Sequence, residues 1–280
     1  MQLIRYRPAA PLDRYVEWFW WSHRDQPQDH EEYMLPSGRA HLVFLLHDQP
    51  VVCAPGAAGK PLAGTRSVVH GPQSGYFRAA AKPAGAAVGV SFRPGAAGAL
   101  LGAPLEEFAD RHVGLEAVWG TRASVLRQRL MGAAGPPEVF RILASGLGAR
   151  IHRPLLMHPA IEHALASRSA AGTAPAAVAS LQRASGYSPR HFIGLFRAAV
   201  GLAPKHYTRI RRFNAAVSSL AAVDGPALSE IAAMHGYADQ SHLTREFREF
   251  AGVTPARYAP EDRGRPLHHR NPHQAPGPRT

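Results

Sequence analysis

Two stretches in the last third of the chain carry side chains that pair well with base edges in duplex DNA. GYSPRHFIGLFRAAVGLAPKHY begins at Gly186, and GYADQSHLTREFREFAGVTPARY begins at Gly236. Arg190 in the first stretch, and Gln240 and Arg245 in the second, carry groups of this kind. Arginine pairs bidentately with guanine O6 and N7, and glutamine pairs in the same way with adenine N6 and N7. The two stretches therefore predict readout of bases in the major groove.

The two stretches are one unit written twice. They align with one extra residue in the second copy, and the matched pairs are Gly186 with Gly236, Tyr187 with Tyr237, His191 with His242, Phe196 with Phe247, Arg197 with Arg248, Gly201 with Gly252, Pro204 with Pro255 and Tyr207 with Tyr258. A repeat this close indicates one supersecondary unit used twice. In each copy the first glycine suits a left-handed turn between two steeply crossing helices, and large apolar residues four apart share one side of the second helix. Each copy therefore predicts a helix-turn-helix with a basic or amide-rich outer face.

A long helix is predicted between the copies, over 204–222. Its apolar stripe, spaced three and four apart, is Tyr207, Ile210, Phe213, Val217 and Leu220. Arg209, Arg211 and Arg212 lie outside this stripe, so we expect them mostly to hold DNA phosphates. A helix of roughly 18 residues spans about 27 Å, which is near the roughly 34 Å between successive major-groove faces. One chain can therefore place both units on one side of DNA.

The charge of the chain also indicates an acidic partner. The net charge is +12, and nucleic acid and a membrane surface are the usual partners of so basic a chain. A coding bias towards Arg, Ala, Gly and Pro is the alternative source of the charge. No run approaches the roughly 18 apolar residues of a membrane span, so we expect no membrane partner. The N-terminal residues show no secretory signal and Cys53 is the single cysteine, so we expect a cytoplasmic protein in a reducing compartment.

The first 110 residues or so are rich in strand signals and turn residues. Short runs of apolar, aromatic or β-branched residues, several with Gly or Pro beside them, lie at 14–21, 41–46, 67–71 and 86–95. This spacing indicates a small antiparallel barrel or sandwich of the cupin-like kind, and such barrels often hold one small ligand. The aromatic cluster at 18–21 is predicted to be core, with the lining of a pocket as the alternative.

After Pro104 the pattern turns helical. Helices are predicted over 115–131 and 136–150, and they form a hairpin that either closes the N-terminal domain or provides a dimer surface. The sequence predicts an α+β chain with four parts. These are a β-rich domain at 1–150 that includes the hairpin at 115–150, a linker at 151–158, an all-α domain of two helix-turn-helix units joined by a long helix at 159–260, and a disordered tail at 261–280.

The segment from about 158 to 258 resembles the DNA-binding domain of AraC/XylS-type transcription regulators. The second copy is close to that family's signature over its whole length, and the first matches it in SPRH, in FR and in the G-x-x-P-x-x-Y ending. The N-terminal half, through LPSGRAHLVF, VSFRPGA and PLEEFADRHVGLE, looks like the sensory portion of some AraC-like regulators, a domain of uncharacterised ligand. The resemblance implies an effector-responsive regulator, such as an activator, that docks two units in successive major grooves of promoter DNA.

The resemblance and the outer faces of the helices together predict which residues meet DNA. The predicted set is Arg190, His191, Arg197, Arg209, Arg212, Gln240, Ser241, His242, Thr244, Arg245 and Arg248. Ile193 and Gly194 are poor base readers at places in the first unit where long polar side chains often stand in this family. We therefore expect the first unit mainly to contact the DNA backbone, with Arg190 its one good base reader, and the second unit to read the sequence. For His191 and His242, a helix-capping or core-edge role is the alternative to phosphate contact.

The partners implied by this interpretation are double-stranded promoter DNA, RNA polymerase and an unidentified small-molecule effector, with a homodimer left open. We expect no cofactor, no metal and no enzymatic activity. The alternative is a cupin-like metal-dependent enzyme with an accessory DNA-binding domain, and a ligand-free architectural DNA binder is a third interpretation. A metal site of that enzyme would use His41, His47, Glu31 and Glu32, although no His-x-His pair supports it. Cys53 has no companion in sequence, so we interpret it as an incidental thiol.

Overall fold

The computed structural model describes residues 2–28, 30–50, 52–56, 64–80, 83–151, 157–166, 182–183, 185–222, 225–260 and 265–270. Within these ranges the N-terminal half forms two antiparallel sheets and the C-terminal half is helical, so the predicted α+β class is confirmed. The strands are β1 (Gln2–Tyr6), β2 (Val16–Arg24), β3 (Glu32–Met34), β4 (His41–Leu45), β5 (Cys53–Pro55), β6 (Ser67–His70), β7 (Phe77–Ala79), β8 (Gly85–Phe92), β9 (His112–Gly114) and β10 (His268–Arg270). The larger sheet has the order β1-β2-β8-β4-β6-β9, and the smaller has the order β10-β3-β7-β5.

One face of the larger sheet packs on the main core, and the other borders a cavity between the two sheets. Successive side chains of β2 point to opposite faces. Phe19 packs in the main core with its ring centroid 6.3 Å from that of Phe140, whereas Trp18 and Trp20 line a cavity between the sheets. The prediction that the aromatic cluster is core is therefore wrong for these two tryptophans, which line a pocket. Gly89 makes room for Trp20, because a Cβ there would lie 2.3 Å from the indole.

The helices of the N-terminal domain are α1 (Ala97–Leu101), α2 (Leu115–Trp119), α3 (Thr121–Met131) and α4 (Pro136–Gly148). The prediction of a single helix over 115–131 is wrong at Gly120, whose φ of 60° separates α2 from α3. α3 and α4 form the predicted hairpin. Their apolar sides, with Leu126, Leu143 and Leu147 buried, join the core of the larger sheet. The hairpin therefore closes the domain, which was one of the two predicted alternatives.

The helices of the C-terminal half are α5 (Pro159–Ala166), α6 (Pro189–Val200), α7 (Pro204–Leu220), α8 (Leu228–Met234) and α9 (Gln240–Ala251). α7 is the predicted long helix, and its buried side carries Tyr207, Ile210, Phe213 and Val217, as the spacing predicts. None of the helices in the described ranges combines the length and the apolar character that a bilayer crossing needs.

The two predicted helix-turn-helix units are built around α6 and α9. α8 and α9 form the second unit, and α6 is the second helix of the first unit. The first helix of that unit, predicted before Gly186, lies mostly outside the described residues. Gly186 and Gly236 have φ angles of 70° and 69°, which confirms the predicted left-handed turns.

The helical domain packs directly on the N-terminal domain. Leu35 belongs to the apolar core that α5, α6, α7 and α9 share. The His206 Nε2 lies 2.9 Å from the Ser74 carbonyl oxygen. The C-terminal ends of α6 and α9 also touch the N-terminal domain: a Cβ on Gly201 would lie 2.8 Å from Pro72, and a Cβ on Gly252 would lie 2.7 Å from the ring of Tyr76.

The chain returns to the N-terminal domain after the helices, which corrects the expectation of a disordered tail over 261–280. β10 pairs antiparallel with β3, and the opposed residues are His268 with Met34, His269 with Tyr33 and Arg270 with Glu32. The His269 side chain is buried, and its ring packs against Tyr33 of β3 and against Tyr258. Residues 261–264 and 271–280 lie outside the described ranges. The smaller sheet is therefore completed by a strand from the end of the chain.

Candidate nucleic-acid interface

The N-terminal ends of α6 and α9 are capped in the same way. The Ser188 Oγ accepts a hydrogen bond from the His191 backbone N–H at 3.3 Å, and the Asp239 Oδ1 accepts one from the His242 backbone N–H at 2.6 Å. Each cap satisfies a backbone donor that the first helical turn leaves without an intrahelical partner. The two helices therefore present matching, well-defined N-terminal ends.

The outer face of α9 carries five of the predicted DNA-contact residues. Gln240, Ser241, Arg245 and Arg248 are exposed, and Thr244 is half-buried. At 100° per residue these five positions fall within about 140° of the helix circumference. The structure therefore brings them together on one face.

His242 lies at the edge of this face. Its ring Nδ1 accepts a hydrogen bond from the Ala238 backbone N–H at 3.4 Å, and the ring packs edge-on against Tyr237 with centroids 5.3 Å apart. The predicted alternative of a helix-capping role therefore describes His242. His191 is exposed, and its ring centroid lies 4.8 Å from that of Tyr187.

The outer face of α6 is less polar. Arg190 is exposed at the first turn, and Ile193 is 41% exposed beside Gly194. The Arg197 Nε lies 3.9 Å from a carboxylate oxygen of Glu106 in the N-terminal domain. Of the predicted contacts on this helix, Arg190 and His191 thus lie at the exposed end, whereas Arg197 faces the neighbouring domain.

Arg209 and Arg212 form an ion-pair network around a buried carboxylate, which corrects the expectation that they mainly hold phosphates. The Glu246 Oε2 accepts hydrogen bonds from the Arg209 Nε at 2.9 Å and from the Arg212 Nη2 at 2.6 Å. Arg209 also pairs with Glu249, and the Tyr237 hydroxyl donates to the Glu246 Oε1 at 2.9 Å. The Glu246 side chain is only 2% exposed, so both arginines are committed to fastening α9 to α7.

Glu246 is a residue that sequence reasoning missed. It lies on the buried side of α9 with Leu243, Phe247 and Phe250, where the spacing predicts an apolar side chain. A buried carboxylate must be paired to be tolerated, so an acid on an apolar face is the signal that identifies it. Burial and the Glu246 carboxylate raise the pKa of Tyr237, so its hydroxyl remains a donor.

A cavity of about 510 Å³ lies between the two sheets. Its wall is mostly apolar and includes Trp18 and Trp20. Among the described residues its charged lining consists of arginines and includes no carboxylate; the arginines are Arg5, Arg24, Arg39 and Arg265. Asn214 and Ser218 of α7 also line it, so the helical domain supplies part of the wall.

Two polar groups of the cavity wall differ in their bonding. The His41 Nε2 lies 2.9 Å from the Ser37 Oγ, and its Nδ1 lies 3.1 Å from the Ser91 Oγ. Burial lowers the pKa of His41 to about 3, and Arg39 adds to this shift, so the ring is neutral at neutral pH. The Asn214 Oδ1 is buried and has no hydrogen-bond partner among the described residues. A group of this kind is suited to bond a molecule held in the cavity.

The residues suggested for a cupin-like metal site do not form a cluster of three within the described ranges; they are His41, His47, Glu31 and Glu32. Glu31 lies 3.8 Å from a nitrogen of Arg78, and Glu32 lies 3.3 Å from the His268 Nδ1. A different set meets instead, because Cys53 lies beside two histidines. The interpretation of this thiol as lacking a companion is therefore wrong.

Comparison with known proteins adds two domain matches. Residues 181–260 match the family model of a helix-turn-helix domain, and residues 4–114 match that of a domain of unknown function. A probable transcriptional regulator, LumQ of Photobacterium leiognathi, is 31% identical over 81 residues, which are 29% of this chain and 32% of that protein. The chain thus spans about a third of the length of this curated relative.

Solved structures of ToxT from Vibrio cholerae are similar in fold. One, with an unsaturated fatty acid bound, has a TM-score of 0.48 at 11% identity and covers 85% of this chain and 93% of that chain. Another has a TM-score of 0.43 at 10% identity and covers 82% of this chain and 95% of that chain.

Proposed function

Residues 181–260 form a helix-turn-helix domain of the AraC type, and from this premise we propose that the chain is a sequence-specific DNA-binding transcription regulator. The observation that carries the proposal is the matched pair α6 and α9. Both are capped at an exposed N-terminal end, and α7 joins the two units. In helix-turn-helix proteins the N-terminal residues of the second helix contact base edges in the major groove.

The second unit reads the sequence in this proposal. Gln240 and Arg245 are exposed on α9 and carry the groups that pair bidentately with adenine and guanine. Ser241, Thr244 and Arg248 share the same face and contact neighbouring bases or phosphates. The ion-pair network behind α9 holds this face in a fixed orientation.

The first unit anchors the protein on the DNA backbone. Arg190 and His191 lie at the exposed end of α6, where they reach phosphates and, for Arg190, one base edge. Lys205 and Arg211 are exposed on α7 and add phosphate contacts. With both units in successive major grooves, the protein acts on promoters in the cytoplasm together with RNA polymerase.

Selection of duplexes from a random pool by the purified full-length chain tests the DNA proposal. We expect two half-sites roughly 10 bp apart, bound less tightly as salt rises. The control is the double variant Gln240→Ala, Arg245→Ala, which changes exposed side chains and is expected to keep its fold while losing sequence choice. If the folded wild-type chain enriches no sequence, the proposal fails.

The cavity supports a small apolar effector that carries a negative charge. Its volume of about 510 Å³ is in the range of small-molecule sites, roughly 300–1,000 Å³. The apolar wall covers the body of such a molecule, and arginines are well suited to bind carboxylate or phosphate groups. A lining without carboxylates among the described residues favours an anion over a cation.

The effector contacts both domains in this proposal. Asn214 and Ser218 from α7, and Arg265 and His268 from the end of the chain, line the same cavity as the strands. A ligand shifts an equilibrium only when it binds one arrangement more tightly than the other. A molecule that touches both domains meets this condition, because movement of α7 changes its contacts.

Decanoate and decanol test the effector, because they share an apolar chain and differ in charge. We expect decanoate to raise the melting temperature of the full-length chain more than decanol does, and to change its affinity for the selected DNA. Asn214→Ala is expected to reduce the effect of decanoate on DNA affinity, because it removes a contact from α7. Equal shifts from the two compounds, or no shift from decanoate, would contradict an anionic effector and leave the DNA proposal standing.

A further inference from the structure

Three side chains of metal-ligand type meet where the two sheets approach each other. Cys53 belongs to β5 of the smaller sheet, and His70 and His112 belong to β6 and β9 of the larger sheet. One ligand atom from each lies within 4.8 Å of the other two. The three residues are far apart in sequence, so the pairing of the strands brings them together.

The backbone under these side chains is regular. His70 and His112 are directly opposed in the β6–β9 pair, and Cys53 is opposed to Ala79 in the β5–β7 pair. Ligands on paired strands are held more firmly than ligands on loops. The ring of Phe77 packs against both imidazoles, with centroids 5.2 Å from His70 and 4.5 Å from His112, and so fixes their orientation.

The distances suit a shared ion. The Nδ1 atoms of His70 and His112 are 2.8 Å apart. Around tetrahedral Zn²⁺, with Zn–N of about 2.0 Å and Zn–S of about 2.3 Å, neighbouring ligand atoms are separated by roughly 3.3–3.6 Å. An ion held by both Nδ1 atoms needs them to separate by roughly 0.5 Å, whereas an ion held by the His112 Nε2 leaves the Nδ1 contact in place.

The cluster contains a buried ring nitrogen that an ion coordinated to it would satisfy. The His112 Nε2 is buried and has no hydrogen-bond partner among the described residues. Whichever tautomer His112 adopts in its contact with His70, this nitrogen stays unpaired, and buried polar atoms without partners are uncommon.

We propose that Cys53, His70 and His112 bind a borderline-soft transition-metal ion of the Zn²⁺ class. The Cys53 Sγ and one ring nitrogen from each histidine are the three protein ligands. Cys53 and His70 also line the cavity, so the fourth position faces the cavity and takes water or a donor atom of a bound molecule. Thiolate and imidazole ligands select such ions over Mg²⁺ and Ca²⁺.

Binding of the ion releases one proton. The Cys53 S–H bond breaks, and its proton passes to solvent. A lone pair on the thiolate sulfur forms the bond to the metal, while both imidazoles bind in their neutral forms. The ion joins the two sheets, and its binding does not depend on the proposed DNA function.

Titration of the chelator-treated full-length chain with Co²⁺ tests the site. We expect one equivalent to give the near-ultraviolet band of a thiolate-to-cobalt transition, and Zn²⁺ to displace it. Cys53→Ser is expected to lose the band, and His112→Asn to weaken Co²⁺ binding at least 10-fold, on the scale of losses at metal sites. His23→Asn, which changes a half-buried histidine of β2 outside the cluster, is the matched control and is expected to behave as wild type.

Stability provides a second measurement. Zn²⁺ is expected to raise the melting temperature of the wild type and of His23→Asn but not of Cys53→Ser. Circular dichroism and retained DNA binding show whether each variant is folded. The proposal is overturned if the folded wild type gives no thiolate band, or if Cys53→Ser binds the ions as the wild type does, because other histidines would then be the ligands.

Discussion

The second helix-turn-helix unit buries a glutamate at the place where the first unit has a leucine. Glu246 in α9 aligns with Leu195 in α6, and Glu246 pairs with Arg209 and Arg212 of α7. The turns of the two units are otherwise alike, because Gly186 and Gly236 have φ angles of 70° and 69°. The second unit is thus fixed to α7 by ion pairs in addition to apolar contacts such as Phe213 with Phe247, whereas the first packs on α7 through apolar contacts such as Phe196 with Tyr207.

The first unit has closer ties to the N-terminal domain instead. α6 packs against the turn at Leu105–Phe108, and Arg197 lies 3.9 Å from Glu106. The two units therefore differ in what positions them. The second unit is held mainly by α7, and the end of α9 touches Tyr76, whereas α6 packs along the turn at Leu105–Phe108 of the domain that holds the cavity.

Removal of the buried carboxylate is expected to have the largest effect. Glu246→Ala removes the acceptor of Arg212 and of the Tyr237 hydroxyl, while Arg209 keeps its pair with Glu249. Breaking a buried ion pair costs about 3–5 kcal/mol. Leu195→Ala, the matched change in the first unit, removes a half-buried apolar side chain and is expected to cost about 1–2 kcal/mol. Denaturant unfolding of both variants measures the difference. A loss for Glu246→Ala no larger than that for Leu195→Ala would show that the network does not hold the second unit.

Replacing one arginine on the outer face of each unit distinguishes base recognition by the second unit from DNA-backbone contact by the first. Arg245→Ala is expected to weaken binding to the selected site by about 1–3 kcal/mol and to relax sequence choice there. Arg190→Ala is expected to weaken binding to selected and random DNA more evenly and to reduce the salt slope by about 1. Fluorescence titration at several salt concentrations measures both. If Arg190→Ala relaxes sequence choice as much as Arg245→Ala does, the two units share the reading.

The helix caps provide a smaller test of the same asymmetry. Asp239→Ala and Ser188→Ala each remove a side-chain acceptor from the first turn, at a cost of about 1 kcal/mol. The loss is expected to be larger for Asp239, because its carboxylate also interacts favourably with the helix dipole and its bond is shorter, 2.6 Å against 3.3 Å. Asp239→Asn is the control that keeps a capping oxygen. Thermal unfolding ranks the three variants, and an equal loss at the two caps would contradict this order.

A stabilising change is expected in the first unit. Gly194 lies within α6 at the position that Arg245 occupies in α9, and a Cβ there would meet no atom within 4 Å. Gly194→Ala is therefore expected to raise stability by about 0.5–1 kcal/mol. Gly201→Ala is the contrasting change, because Gly201 has a φ of 85° and its Cβ would lie 2.8 Å from Pro72. A rise in melting temperature for the first variant and a fall for the second are the expected outcomes.

The repeated unit could be predicted from sequence because its signals are local. The turn glycines, the apolar positions four apart and the stripe of the connecting helix are all visible within short windows, and the structure confirms them. The longest runs of the N-terminal domain also became strands. The three-residue strands β3, β5 and β7 were missed, because segments such as EYM, CAP and FRA are too short to show a period.

The remaining features depend on contacts between distant segments. Arg209 and Arg212 flank the apolar stripe of α7, and nothing in the stripe shows that α9 places a carboxylate over them. Gly120 breaks a helix that the apolar spacing alone continues. Cys53 meets two histidines only through the register of strands in two sheets. The faces of single helices could therefore be predicted from the sequence, whereas contacts that depend on how distant elements pair could not.

The smaller sheet can be completed only after strand β10 has been synthesised. The smaller sheet has β10 at one edge, beside β3, although β3 is synthesised early and β10 follows all the described helices. Until His268–Arg270 leave the ribosome, β3 presents an unpaired edge, and exposed edges are sites of mispairing and aggregation. A stop codon just after the helical domain would thus leave every DNA-facing residue in place and still damage the smaller sheet of the N-terminal domain.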